Sequence, residues 1–241
     1  MINKKNKLPL LSIIIPCFNE EKTIKKLIKK ILKIKNINKQ IIVVNDGSSD
    51  KSFNIINSLK SKIDVIINHK NNLGKGSCIK SAKNKIKGNI VLIQDADLEY
   101  DPKDYPKLID PIAKKKYKIV YGSRVLNKNR FENLDNFTHW VRIFANYILT
   151  KINNIINNQN LSDAHTCYKV FDSKIFKKIK LVENDFAFCP EATTKISNLG
   201  YKIYEVPISY KGRSYSEGKK IKFSDGIKAI FTIIKYKFFF N

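Results

Sequence analysis

Residues 94–102 read Gln-Asp-Ala-Asp-Leu-Glu-Tyr-Asp-Pro, directly after the apolar run Asn89-Ile90-Val91-Leu92-Ile93. This is the pattern of a buried strand that ends in carboxylates. Asp95 and Asp97 stand two apart, so an extended backbone sends both to the same side. Two carboxylates held together repel unless a positive charge lies between them. A hard divalent cation with oxygen ligands, Mg²⁺ or Mn²⁺, answers that need, and Glu99 can add a third oxygen. Such an ion commonly holds a diphosphate. A solvated acidic turn capping the next helix has the same local signature, because short motifs match often by chance.

The surrounding elements decide what these carboxylates can work with. β-rich runs at residues 10–15, 40–45, 64–68, 89–93 and 118–121 alternate with helical patterns near 20–34, 50–59, 75–87 and 103–115. Strands apolar throughout are buried on both faces, which means a parallel sheet. The alternation predicts βαβ units and a doubly wound α/β fold. In such a sheet, ligands bind beyond the carboxyl ends of the strands. Three polar clusters fall there: Pro16-Cys17-Phe18-Asn19-Glu20, Val44-Asn45-Asp46-Gly47-Ser48-Ser49-Asp50 and Asp95-Ala96-Asp97. Each alone is ordinary turn chemistry; together on one sheet edge they predict a site. Leu73-Gly74-Lys75-Gly76-Ser77 opens the third helix, where backbone N–H groups favour anions. It is a weak phosphate-loop signal, since Lys70 stands where that motif has its first glycine. No Gly-x-Gly-x-x-Gly follows the first strand, which argues against a dinucleotide dehydrogenase.

The second half changes character. Phe137, Trp140, Val141, Phe144, Tyr147, Ile148 and Ile152 recur at helical spacing and predict a packed helix over 136–156. Strand-like pieces follow at 166–171 and 201–207, and Ser224 reads as the N-cap of a last helix. The closing Lys235-Tyr236-Lys237-Phe238-Phe239-Phe240 is basic and aromatic. It suits either the last core helix or a segment lying in a membrane interface.

The formal net charge is +25, from 46 Lys+Arg against 21 Asp+Glu. Nucleic acid, an anionic membrane or phosphorylated substrates all fit that surplus, as does a general Lys, Asn and Ile bias. Arg is more telling than Lys. Only Arg124, Arg130, Arg142 and Arg213 occur, and an Arg among lysines suggests a need for its bidentate fork. Cys17, Cys78, Cys167 and Cys189 form no Cys-x-x-Cys pair and no zinc spacing, so free thiols in a reducing compartment are expected. Lys4, Lys5 and Lys7 before an apolar run resemble a short signal peptide, but Asn19-Glu20-Glu21 follows without a cleavage pattern, so a first strand fits better. No run of about 18 apolar residues is present.

Pro16-Cys17-Phe18-Asn19-Glu20-Glu21, Val43-Val44-Asn45-Asp46-Gly47-Ser48-Ser49-Asp50, Gly74-Lys75-Gly76 and Asp95-Ala96-Asp97 resemble the nucleotide-sugar domain of glycosyltransferase family 2. Gly122-Ser123-Arg124, Tyr168-Lys169-Val170-Phe171 and residues 213–220 narrow the resemblance to the dolichyl- or polyprenyl-phosphate sugar synthase branch, over about residues 9–237. The resemblance implies a GT-A-like doubly wound, mostly parallel sheet in one glycosyltransferase domain. Residues 1–125 would form the nucleotide-sugar half, and 126–241 an acceptor half of helices and strands with a C-terminal amphipathic helix. It implies that Pro16, Phe18, Glu20, Val44, Asn45, Asp46, Lys75, Asp95 and Ala96 bind the nucleotide sugar. Asp97 and Glu99 would hold Mg²⁺ or Mn²⁺, with Asp95, Asp97 and Arg124 as catalytic residues. Arg124, Arg213 and Lys219 would grip phosphate on the acceptor side. Asn45 stands where many members carry Asp, and His165 stands where an acid is expected. His165 either touches sugar or acceptor or is a plain packed histidine; His69 and His139 offer no spacing that would make it a metal ligand.

The implied reaction moves a sugar from a nucleoside-diphosphate sugar to polyprenyl (dolichyl or undecaprenyl) phosphate with inversion. The implied setting is cytoplasmic, peripheral on the inner face of an anionic membrane, alone or with a membrane-protein partner. A phosphate nucleophile is already largely ionised at pH 7, with a second pKa of about 6, so no general base is needed. A hydroxyl acceptor would need one. Glu191 is the candidate base for that alternative, or else a carboxylate settling a helix N-terminus. A non-catalytic nucleic-acid-binding protein is a third reading, but no nucleic-acid motif supports it.

Overall fold

The computed structural model describes residues 9–127, 137–212 and 223–240. Seven strands form one sheet: β1 (Leu10–Cys17), β2 (Asn38–Asp46), β3 (Val65–His69), β4 (Ile90–Ile93), β5 (Ile119–Ser123), β6 (Lys169–Asp172) and β7 (Tyr204–Pro207), in the order β3-β2-β1-β4-β6-β5-β7. The helices are α1 (Ile24–Lys33), α2 (Ser52–Ser58), α3 (Lys75–Lys83), α4 (Tyr105–Ala113), α5 (Phe137–Asn157), α6 (Ser173–Lys178), α7 (Phe188–Asn198) and α8 (Phe223–Ile234).

The apolar runs give the sheet its two covered faces. Along β1, Leu11, Ile13 and Ile15 enter one core with Leu27, Ile31 and Leu108, while Ile14 enters the other with Ile79, Phe176 and Phe188. Alternate residues of one strand thus feed opposite layers, and helices on both faces close them. β1 pairs in parallel with β2 on one side and β4 on the other. The carboxyl ends of β1, β2 and β4 therefore share one edge, and the chain switches direction across the sheet beside β1. That crevice is where a doubly wound sheet binds ligands. The mostly parallel arrangement matches the expected class; β6 runs antiparallel to both β4 and β5.

Several boundaries differ from the sequence reading. α1 begins at Ile24 rather than Glu20, because the N–H groups of Thr23 and Ile24 both return to the Glu20 carbonyl and form a turn first. α4 begins at Tyr105, after a short turn at Pro102–Asp104 whose Lys103 N–H is capped by Asp101. Ser224 lies inside α8 rather than before it.

The expected packing of α5 is reversed over its C-terminal part. Thr150, Asn153 and Asn157 are buried there, whereas Phe144, Ile148 and Ile155 are exposed. The polar face finds partners within the protein. Asn157 Nδ2 donates to Thr194 Oγ1 at 3.1 Å, and Thr150 Oγ1 accepts the N–H of Ala164 at 3.3 Å. Beside it α8 exposes Ile227 and Phe231, and the terminal Phe238, Phe239 and Phe240 are exposed as well.

Candidate active site

At the carboxyl edge, two loops are laced together by the turn formers read from the sequence. β1 leaves the sheet at Cys17 and turns at Asn19, whose φ of 52° lies in the left-handed region that Asn tolerates. The Asn19 N–H donates to Ser48 Oγ at 3.0 Å, and Asn19 Oδ1 accepts the Ser49 N–H at 2.9 Å. The Glu20 N–H donates to Ser52 Oγ at 2.7 Å and the Glu21 N–H to Asp50 Oδ2 at 3.1 Å. Turn chemistry and site building are here the same bonds. Gly47, at φ +66°, has no alternative, since a Cβ would lie 2.7 Å from the backbone nitrogen of Asn72.

Asp46, the last residue of β2, fixes the start of α3. Its Oδ2 accepts the Gly74 N–H at 2.8 Å, and its Oδ1 accepts the Leu73 N–H at 3.0 Å with His69 Nδ1 at 2.7 Å. Gly74 has φ +93°, and a Cβ there would lie 2.5 Å from the Asn184 carbonyl oxygen. The next side chain, Lys75, reaches into the site: its Nζ donates to Asp95 Oδ1 at 2.5 Å and lies 3.2 Å from Cys167 Sγ. Burial alone would lower the Lys75 pKa, but Asp95 holds it well above the usual value. It is a fixed cation.

Asp95 and Asp97 do not share a strand face, because β4 stops at Ile93 and 94–99 is a turn. Leu98 takes a left-handed φ of 65°, and Asp97 Oδ1 accepts the Glu99 N–H at 3.1 Å. The turn brings Asp95, Asp97 and Glu99 to one cavity by curvature rather than by strand alternation. Tyr210 secures it from beyond β7: its hydroxyl donates to Glu99 Oε2 at 2.9 Å, while the Lys211 N–H donates to the Glu99 carbonyl. Gln94, at the root of the turn, accepts the hydroxyls of both Tyr105 and Tyr168 at 2.7 Å.

Arg124, just past β5, closes the opposite wall. Its Nε donates to Asp163 Oδ2 at 2.6 Å and its Nη2 to Asp163 Oδ1 at 2.8 Å, a bidentate pair. Asp163 is fully buried. Burial alone would raise its pKa, yet the guanidinium holds it below the usual carboxylate range. Glu205 braces the same loop by accepting the N–H groups of Ser162 and Asp163. The Arg124 guanidinium lies 5.1 Å from the Tyr210 ring centre. An Arg has five N–H donors, so the fork grips Asp163 and still has donors for the cavity.

Pro16, Phe18, Glu20, Asp46, Lys75, Asp95, Ala96, Asp97, Glu99 and Arg124 thus surround one cavity. Val44 and Asn45 do not line it: Val44 is inside the core, and Asn45 is buried with its Nδ2 on Asn68 at 2.7 Å. Arg213 and Lys219 lie outside the described residues. Asn72, Tyr100, His165, Cys167, Phe186 and Tyr210 also belong to the wall. Of these, only His165 stood out in the sequence as a residue that can touch sugar or acceptor. Asp46, His69 and Cys78 also bring one ligand atom each within 4.8 Å of one another, a corner already joined by the Asp46–His69 contact.

Glu191 is not placed as a base. It is fully buried at the start of α7, outside the cavity walls, and accepts the N–H groups of Val182 at 2.7 Å and Glu183 at 2.9 Å. Lys195 Nζ adds a 2.6 Å ion pair. Its work is to hold the 182–185 loop against Gly74 and Gly76. Glu191→Ala is expected to cost about 3–5 kcal/mol of stability, as breaking a buried pair does, read from denaturant unfolding. Turnover per folded molecule is expected to escape the roughly 10²–10⁴-fold loss that removal of a general base brings.

Comparison with known proteins extends these observations. Residues 12–180 match the model of glycosyl transferase family 2. An uncharacterised protein of Methanocaldococcus jannaschii is 30% identical over 99% of this chain and 96% of its own. The UDP-N-acetylglucosamine–dolichyl-phosphate N-acetylglucosaminyltransferase of Methanococcus voltae is 28% identical over 95% of this chain and 96% of its own. A dolichyl-phosphate beta-glucosyltransferase of Trichomonas vaginalis is 26% identical over 95% of this chain and 73% of its own. Among solved structures, glucosyl-3-phosphoglycerate synthase of Mycobacterium tuberculosis, crystallised with Mn²⁺ and UDP, superposes with a TM-score of 0.69 at 14% identity. The match covers 95% of this chain and 80% of that one, and shows a shared GT-A fold.

Proposed function

Because the chain belongs to glycosyl transferase family 2, we propose that it moves a sugar from a nucleoside-diphosphate sugar to the phosphate of a polyprenyl lipid, with inversion. The observation that carries this reading is a cavity in which two fixed cations, Lys75 and Arg124, face the carboxylates of Asp97 and Glu99, while Glu191 lies outside it. Lys75 on Asp95 and Arg124 on Asp163 supply fixed positive charge for two phosphorylated reactants. The carboxylate that would serve a hydroxyl acceptor is engaged elsewhere. The names of the relatives, dolichyl- and undecaprenyl-phosphate sugar transferases among them, support the same acceptor class.

Residues 1–125 would hold the donor. Pro16, Phe18, Glu20 and Asp46 would take the nucleoside, and Asp95 and Ala96 would lie along the diphosphate and sugar. Asp97 and Glu99 would hold the divalent ion: two carboxylates on one cavity wall form a hard oxygen donor set of the kind Mg²⁺ and Mn²⁺ take. The bound ion would supply Lewis-acid neutralisation of the departing diphosphate. The residues 126–241 would receive the acceptor, with Arg124, Arg213 and Lys219 gripping its phosphate. Attack by a phosphate oxygen forms the new bond at the anomeric carbon. The bond to the diphosphate breaks with its electron pair leaving on the nucleotide. An ionised phosphate gives up no proton in this step, so the step calls for no general base.

The lipid would be met at a membrane surface. Ile155 is 81% exposed, Phe231 68% and Phe239 73%, all on the second half of the chain. Apolar faces of α5 and α8 turned outward beside lysines suit the interface of an anionic bilayer. No helix among the described residues is long and apolar enough to cross a membrane. Peripheral attachment on the cytoplasmic face, alone or with a membrane-protein partner, follows as part of the proposal. The test is transfer of label from a panel of nucleotide sugars to polyprenyl phosphate, with Mg²⁺ or Mn²⁺ and with chelator. Metal-dependent label in the organic phase is expected. Label released only as free sugar would contradict the acceptor.

A further inference from the structure

His165 shares the cavity wall with Asp95, Asp97 and Arg124, and nothing in the reaction outlined above uses it. The main-chain carbonyl of Leu149 favours a proton on the side of the ring that faces it. A main-chain carbonyl only accepts, so the ring nitrogen on that side carries the proton. The other nitrogen, Nε2, is buried and has no hydrogen-bond partner among the described residues. A buried acceptor without a donor costs about 1–3 kcal/mol, which a ligand donor would recover.

We propose that His165 is a specificity-determining residue whose Nε2 accepts a hydrogen bond from a hydroxyl or amide N–H of the sugar being transferred. The proposal rests on the donor-site reading above and adds which part of the donor this residue meets. The other ligand groups are excluded by their chemistry. The diphosphate and an ionised acceptor phosphate carry acceptor oxygens and no proton to give. A polyprenyl chain has no polar hydrogen. The nucleoside end belongs to Pro16, Phe18 and Asp46, on the β1 and β2 loops rather than beside Arg124. What remains is the sugar. The ring stays neutral in this setting: burial and then the nearby Lys169 push its pKa down to about 4. It therefore does not become a second phosphate-binding cation at physiological pH.

The test is calorimetric binding to the full chain of UDP-glucose, UDP-N-acetylglucosamine and the monodeoxy analogues of each. One deoxy position is expected to weaken binding to the wild type by about 5–150-fold, the equivalent of one lost buried hydrogen bond. In His165→Phe, which fills the volume without an acceptor, and in His165→Ala, that gap is expected to close to about twofold or less. His165→Gln, whose amide oxygen can accept, is expected to restore part of it. An equal gap in wild type and variants, or no gap at any hydroxyl, would overturn the proposal alone. Failure of the wild type to bind any of these nucleotides, or UDP, GDP or dTDP themselves, would overturn the donor-site reading and this proposal with it.

Discussion

Asp97→Asn is expected to lower turnover by about 10²–10⁴-fold, since a metal's Lewis-acid contribution of several kcal/mol converts at 1.36 kcal/mol per tenfold. Its melting temperature should move little. The distinction follows from what the side chain does in the fold. Asp97 Oδ1 accepts the Glu99 N–H, and the amide oxygen of Asn can accept the same bond. What Asn cannot supply is the anionic oxygen that a hard cation binds. Initial rates across a Mn²⁺ titration, with thermal unfolding followed by circular dichroism, separate the two effects. Metal-dependent turnover near the wild-type level would remove Asp97 from the ion's ligands.

Asp163→Ala is expected to act on stability first, by about 3–5 kcal/mol, because it leaves Arg124 without its buried counter-charge. Activity should fall with it, since the guanidinium loses both bonds that aim it at the cavity. The pH dependence has a definite sign. Arg124 depresses the folded-state pKa of Asp163 below the unfolded value, which is about 3.9. The pair's stabilisation is therefore fully present above that unfolded value and is lost as pH falls through the lower folded one. Urea midpoints should show a constant gap between wild type and variant from neutral pH to about pH 5, closing only in stronger acid. A gap that narrows near neutrality would place the ionisation on another group. Arg124→Lys should keep more stability than Asp163→Ala but lose activity, because a point charge does not reproduce the fork.

How far the sequence carried can be judged residue by residue. The first five strands were legible because each carries a run of Ile, Val or Leu, the pattern a strand covered on its faces leaves. β6 was only partly so. It opens with Lys169, a fully buried lysine whose Nζ donates to the Ala164 carbonyl and lies 3.7 Å from the Tyr121 ring centre. Local hydropathy cannot foresee a buried lysine satisfied by a carbonyl five residues back and by the ring of Tyr121, distant in sequence. α5 misled for a related reason. Its apolar spacing was read correctly as helical, but Asn153 and Asn157 take the inner face through bonds to partners such as Thr194, leaving isoleucines outside.

The site divides the same way. Asp46, Asp95, Asp97 and Glu99 announced themselves as acids at strand ends. The Arg124–Asp163 clamp joins residues 39 apart, and Tyr210 meets Glu99 across 111 positions. No spacing rule spans such distances; folding alone brings them together. Glu191 was visible as either a base or a carboxylate at a helix N-terminus, and it stands in the first turn of α7; its backbone partners at Val182 and Glu183 become apparent only once the loop has folded over it.

The most direct measurement compares two acceptors under one set of conditions: polyprenyl phosphate and the corresponding polyprenol, with the same nucleotide sugar and Mn²⁺. The predicted result is a glycosylated lipid from the phosphate only, its new bond labile to mild acid and its anomeric configuration opposite to the donor's. Equal transfer to the alcohol would mean that a general base operates in the cavity and would contradict the phosphate-nucleophile account.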